Sequence, residues 1–133
     1  MKIKESAEMY LETILVLSRK DSRVRSIDIV NELNYKKSSI SVAMKKLREN
    51  GYIQIDDEGY IKLTDKGKEI AETMLERHTF IANWLMSLGV DETVAYEDAC
   101  RMEHVISRES FEAIKKHMET LENNNSNSLK PQE

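Results

Sequence analysis

Apolar side chains recur at helical spacing along almost all of this 133-residue chain, and the pattern switches to strict alternation once. The switch falls at residues 52–63, where YIQI and YIKL flank the loop DDEG. A period of two around a short Gly-containing loop specifies a β-hairpin, with Gly59 at the left-handed position. Helical segments on both sides of one hairpin leave few folds open. Pro occurs once and aromatic residues make up 6 % of the chain, which suits an α-rich protein.

Before the hairpin, residues 6–18 repeat apolar groups at Ala7, Tyr10, Leu11, Ile14 and Leu17, with Ser6 the expected N-cap. A polar loop, SRKDSRVR, precedes a short helix over 26–34, capped by Ser26 with Asp28 in its first turn. After a break at 35–37, a third helix spans 38–50, with Ile40, Ala43, Met44 and Leu47 as its stripe and Gly51 where it stops. Beyond the hairpin, Thr64 and Asp65 open a long helix through about Leu88, ended by Gly89. Asp91 and Glu92 open another to about Ile106, and Ser107 caps a last one to about Leu121. The tail, residues 122–133, has no apolar period and is expected to be disordered.

The fold class expected is therefore mainly α. A winged helix-turn-helix occupies residues 1–72, with the hairpin as a small β wing, and a helical domain occupies 73–121. The helix-turn-helix reading points to double-stranded DNA. The net charge is −4, but the acidity lies late. Through Glu72 there are 14 Lys and Arg against 13 Asp and Glu; from Thr73 onward there are 6 against 11. Residues 33–50 hold Lys36, Lys37, Lys45, Lys46 and Arg48 with a single acid, Glu49. A basic face of that kind binds phosphates while the whole chain stays acidic. Away from its apolar stripe the third helix would present Lys36, Lys37, Ser38, Ser39, Ser41, Val42 and Lys45. Lysines suit phosphates, serines suit phosphates or base edges, and Val42 suits a thymine methyl. A merely solvated helix face remains the alternative for the lysines. Tyr60 and Lys62 of the hairpin are candidates for backbone contacts. A reading head of this size implies a homodimer on a palindromic operator. No apolar run reaches the length of a membrane span, so a cytoplasmic protein with no membrane partner is expected. One cysteine forms no internal disulfide, which fits a reducing compartment.

That cysteine sits in EDACRMEHV, residues 97–105. On a helix Cys100, Glu103 and His104 share one face, and thiolate, carboxylate and imidazole are all metal-ligand types. Spacing alone leaves open a buried thiol beside a surface Glu–His pair. No CxxC or HExxH is present, and no nucleophile–base pair or Gly-rich phosphate loop, so neither an enzyme nor a small-molecule substrate is expected.

AEMYLETI, LTDKGKEIA, RHTFIANWL, LGVD and EDACRMEHVIS occur in this order around the helix-turn-helix. Together they resemble the metal-dependent repressors of the diphtheria toxin repressor (DtxR) family, which includes the manganese transport regulators (MntR), over residues 5 to about 118. The resemblance implies a helical dimerisation and metal-binding domain after the reading head, and repression of metal-uptake genes. In the iron branch the regulatory site uses residues that match Met9, Cys100, Glu103 and His104. The manganese branch has Asp and Glu at the Met9 and Cys100 positions, and adds ligands that match Glu12 and His78. The iron branch's ancillary site matches at His78 only, since Ala82 and Tyr96 stand where its Glu and second His belong. A second metal, if bound, would then use Glu12 and His78 with Glu103 bridging. The SH3-like domain of many iron-branch members is expected to be missing, because the chain ends in a polar tail after residue 121. Thioether and thiolate are softer than the carboxylates that suit Mn2+, which favours Fe2+, with Mn2+ second; Co2+, Ni2+ and Zn2+ are expected to bind in vitro. The alternative class is a winged-helix regulator that senses redox state through Cys100.

Overall fold

The structure is a computed structural model that describes residues 5–128, and side chains over 6–123. It contains α1 (Glu5–Lys20), α2 (Ser26–Leu33), α3 (Lys37–Glu49), β1 (Ile53–Ile55), β2 (Ile61–Leu63), α4 (Asp65–Ser87), α5 (Glu92–Val105) and α6 (Arg108–Ser128). The chain divides into two compact units, Met1–Glu76 and Arg77–Glu133. The division falls inside α4, four residues after the break expected from charge. A boundary within a continuous helix carries no Pro, Gly or polar linker to mark it. No helix among the described residues is long and apolar enough to cross a membrane.

The first unit is a helix-turn-helix with its wing. Its core takes Leu11, Ile14 and Leu15 from α1, Ile29 from α2, Ile40, Met44 and Leu47 from α3, and Ile53 and Ile61 from the hairpin. Burying one such side chain contributes roughly 1.5–3 kcal/mol. The antiparallel hairpin pairs Ile53 with Leu63 and Ile55 with Ile61, and Gly59 takes φ 85°. The preceding loop is more than a polar connection. Val24 is 2 % exposed, bridges Ile61 and accepts a hydrogen bond from its N–H at 2.7 Å.

Two expected caps are corrected. α1 already includes Ser6, so its cap lies outside the described residues. α2 starts at Ser26 with Arg25 as its cap, and the Arg25 N–H donates to the Asp28 carboxylate at 2.9 Å. An acid in the third helical position supplies both an acceptor and a favourable charge, so no hydroxyl is needed at the cap.

The second unit packs Ile81, Ala82, Ala99 and Phe111, flanked by Phe80, Leu85, Met86, Met102 and Ile106. Phe80 and Phe111 meet edge to face at 5.8 Å. Asp91 caps α5, its carboxylate accepting from the Thr93 N–H at 3.2 Å, and the Ser107 hydroxyl accepts from the Ser110 N–H at 3.0 Å to start α6. The apolar residues of α5 and α6 divide between core and surface. Ala95 and Phe111 are buried within the unit, while Val94 and Val105 remain 45 % and 72 % exposed.

The tail expected to be disordered from residue 122 is helical to Ser128; residues 129–133 lie outside those described. The run ENNNSNS holds neither Gly nor Pro. Extending an existing helix through Asn or Ser costs only about 0.5–0.7 kcal/mol per residue relative to Ala, far less than nucleating one.

Candidate metal centre and nucleic-acid interface

Helical spacing along α5 puts Cys100, Glu103 and His104 on one face, and α4 supplies His78. Among the described residues Glu103 is the charged side chain that is fully buried. Its carboxylate lies between two imidazoles: Oε2 is 3.2 Å from His78 Nδ1, and Oε1 is 3.1 Å from His104 Nε2. Burying a carboxylate is costly unless positive charge or donors surround it. The Cys100 thiol is lowered from 9.0 to about 7, first by a hydrogen bond from His104 and then by one from His78; burial and the Glu103 charge oppose the shift.

One ligand atom each from His78, Cys100 and Glu103 lie within 4.8 Å of one another. Donors about 2.0–2.3 Å from a shared ion lie no more than about 4.6 Å apart, so the three atoms are close enough to converge on one ion after a modest shift. A thiol poised to ionise, a carboxylate and two imidazoles form a borderline-soft donor set that fits a divalent transition metal.

The surroundings hold this cluster in place. The Arg77 guanidinium donates to the carbonyls of Glu103 at 3.3 Å and Ile106 at 3.4 Å and lies over the Phe111 ring, 5.3 Å from its centroid. It thus ties down the end of α5 that carries Glu103 and His104. Sequence reasoning missed Arg77; the available signal was a cation directly before His78 in the acid-rich half. Tyr96 lies against the His78 ring at 5.6 Å, and Ala82 is part of the apolar core. Two positions that hold ancillary ligands in the iron branch are therefore used here for stacking and packing.

The remaining candidates, Met9 and Glu12, are half-buried on α1 in the first unit. Met9 Sδ accepts a hydrogen bond from the Tyr35 hydroxyl at 3.7 Å.

In the same unit α3 buries Ile40, Met44 and Leu47. Lys36, Lys37, Ser38, Ser39, Ser41, Val42 and Lys45 are all exposed, Val42 at 55 %. Three hydroxyls, three ammonium groups and an uncovered valine on one helix match the chemistry of a major-groove reader. In the wing, the Arg25 guanidinium lies 4.5 Å from the Tyr60 ring centroid, and Lys62 is exposed.

A winged helix-turn-helix followed by a helical unit with a His–Cys–Glu–His cluster around one buried carboxylate fits a DNA-binding regulator whose cluster could hold a metal ion. Two family descriptions match the chain: "Iron dependent repressor, N-terminal DNA binding domain" over residues 2–61 and "Iron dependent repressor, metal binding and dimerisation domain" over residues 64–132. The chain belongs to this family of iron-dependent repressors, which are transcriptional repressors and not enzymes.

An uncharacterized HTH-type transcriptional regulator of Methanocaldococcus jannaschii is 37 % identical over 117 residues, covering 86 % of this chain and 94 % of the relative. The transcriptional regulator MntR of Escherichia coli O6:H1 is 30 % identical over 112 residues, covering 84 % and 72 %. Among solved structures, the manganese regulator SloR matches with a TM-score of 0.76 at 26 % identity, over 90 % of this chain and 55 % of that one. A manganese-dependent transcriptional repressor in complex with manganese gives 0.76 and 26 %, over 84 % and 51 %. The chain thus spans about half the length of these two structures. Nothing in the comparisons points to a redox sensor built on Cys100.

Proposed function

We propose that this chain is an Fe2+-activated repressor that binds palindromic operators as a cytoplasmic homodimer and lowers transcription of metal-uptake genes. The observation that carries the reading is the buried Glu103 carboxylate held between His78 and His104 beside an acidified Cys100. A bound divalent cation would supply the positive charge and directional bonds that hold these groups together. In this proposal Met9 and Glu12 complete the ligand set, an assignment that rests on the family resemblance. α1 and the recognition helix α3 belong to the same unit, so engaging Met9 or Glu12 acts on the unit that reads DNA. Metal and operator then favour the same conformation and tighten each other's binding. Lys36, Lys37 and Lys45 take phosphates, while Ser38, Ser39, Ser41 and Val42 read the major groove.

Sulfur from Met9 and Cys100 favours Fe2+. The relatives named as manganese regulators and the carboxylate of Glu12 keep Mn2+ as the second candidate. The test is anaerobic binding to a palindromic promoter fragment, titrated with Fe2+ and with Mn2+ at matched free concentrations. Fe2+ should tighten binding by at least about tenfold, equivalent to about 1.4 kcal/mol of coupling, and at lower free concentration than Mn2+. Greater potency for Mn2+ would overturn the iron assignment while leaving the metalloregulator intact.

A further inference from the structure

A contact inside the first unit connects a proposed metal ligand to the start of the recognition helix. Tyr35 occupies the turn between α2 and α3, two residues before Lys37 opens the recognition helix. The turn is set by Asn34, the one non-glycine residue with positive φ among those described, at 56°; its N–H caps α2 by donating to the Val30 carbonyl at 2.8 Å. From this turn the Tyr35 side chain reaches back to α1. Its hydroxyl donates to Met9 Sδ at 3.7 Å, and its ring meets Tyr10 edge to face, centroids 6.3 Å apart and planes at 88°. The residue is 42 % exposed, so hydrophobic burial alone does not account for that direction.

We propose that Tyr35 is a positioning residue that aims the Met9 thioether and transmits its engagement to the first turn of the recognition helix. The inference rests on Met9 being a metal ligand. A thioether sulfur carries two lone pairs. The Tyr35 O–H takes one and so fixes the direction of the other. Without that donor, a side chain with three free torsions samples several rotamers, and ordering it opposes ligation. The same bond makes the turn before Lys36 and Lys37 sensitive to where Met9 sits, so metal held by Met9 also orders the residues that approach DNA.

The experiment is a double-mutant cycle of Tyr35→Phe and Met9→Leu, read by optical titration with Co2+ in the absence of DNA and by metal-dependent operator binding. Tyr35→Phe keeps the ring and its contact with Tyr10. It should weaken Co2+ binding by about two- to tenfold, the range for one modest hydrogen bond, alter the Co2+ absorption spectrum, and reduce the metal-induced gain in DNA affinity. Operator affinity in chelator should stay at its wild-type value, and the melting temperature of the metal-free protein should fall by no more than the loss of one modest hydrogen bond allows. In the Met9→Leu background, Tyr35→Phe should add no further loss. If Met9→Leu weakens Co2+ binding but Tyr35→Phe does not, the positioning role falls and the ligand set stands. If Met9→Leu itself leaves Co2+ binding unchanged, the Met9 assignment falls and this inference with it. A Tyr35→Phe loss of operator affinity of equal size with and without Met9 would overturn the link and make Tyr35 a direct DNA contact.

Discussion

At the scale of single residues, Cys100 gives a measurable signature of the cluster. Two imidazole donors lower its thiol to about 7 despite partial burial and a neighbouring carboxylate. In metal-free protein, the rate of Cys100 alkylation should therefore rise with pH around a midpoint near 7, and His104→Asn, which removes one imidazole donor, should move the midpoint upward. The linkage has a definite sign. Above the folded value and below the unfolded one, the unfolded thiol binds more protons than the folded one, so this group makes stability rise with pH between about 7 and 9.0. A midpoint unchanged by His104→Asn would show that the imidazole is not what acidifies the thiol. Cys100, Glu103 and His104 were candidates in the sequence because they fall on one helical face, but spacing alone left a buried thiol beside a Glu–His pair open, and His78 entered only through the family resemblance. Arg77 was not a candidate, since its targets are backbone carbonyls of α5, which no side-chain pattern reveals.

At the scale of elements, the junction between wing and α4 is packed too closely for a side chain at Gly67. A Cβ there would lie 2.0 Å from the Tyr52 carbonyl oxygen. Thr64 reinforces the approach: its N–H donates to that same oxygen at 3.1 Å, and its hydroxyl donates to the Gly51 carbonyl at 2.6 Å. Gly67→Ala should destabilise the first unit by about 1–3 kcal/mol through forced backbone displacement, seen as a lower thermal midpoint. An unchanged midpoint would mean that the junction gives way easily. Most elements were legible because period 3.6, one stretch of period 2 and the glycines at 59 and 89 come from local sterics. What stayed hidden was non-local or cumulative. Val24 forms an isolated bridge only because Ile61 lies opposite it, and α6 runs past Leu121 because adding a turn to a formed helix is cheap even for polar residues.

At the scale of the whole molecule, two properties combine. The first unit places hydroxyl, ammonium and valine side chains on the open side of one helix, and the second holds a buried carboxylate among three metal-ligand side chains. Val94 and Val105, 45 % and 72 % exposed, leave apolar surface on the second unit, in keeping with its match to a metal-binding and dimerisation domain. The proposed function requires metal and DNA to be linked, and linkage is reciprocal: an operator that prefers the metal-bound conformation must tighten metal binding by the same factor. Glu103 is the residue on which that link depends most. The direct test compares operator affinity with saturating Fe2+ and with chelator, in wild type and in Glu103→Gln, which keeps shape but removes the buried charge. A metal-dependent gain of about tenfold or more is expected in wild type, with loss of that gain in Glu103→Gln and chelator-state affinity unchanged. Equal wild-type affinity with metal and with chelator, or a full metal response in Glu103→Gln, would contradict that link.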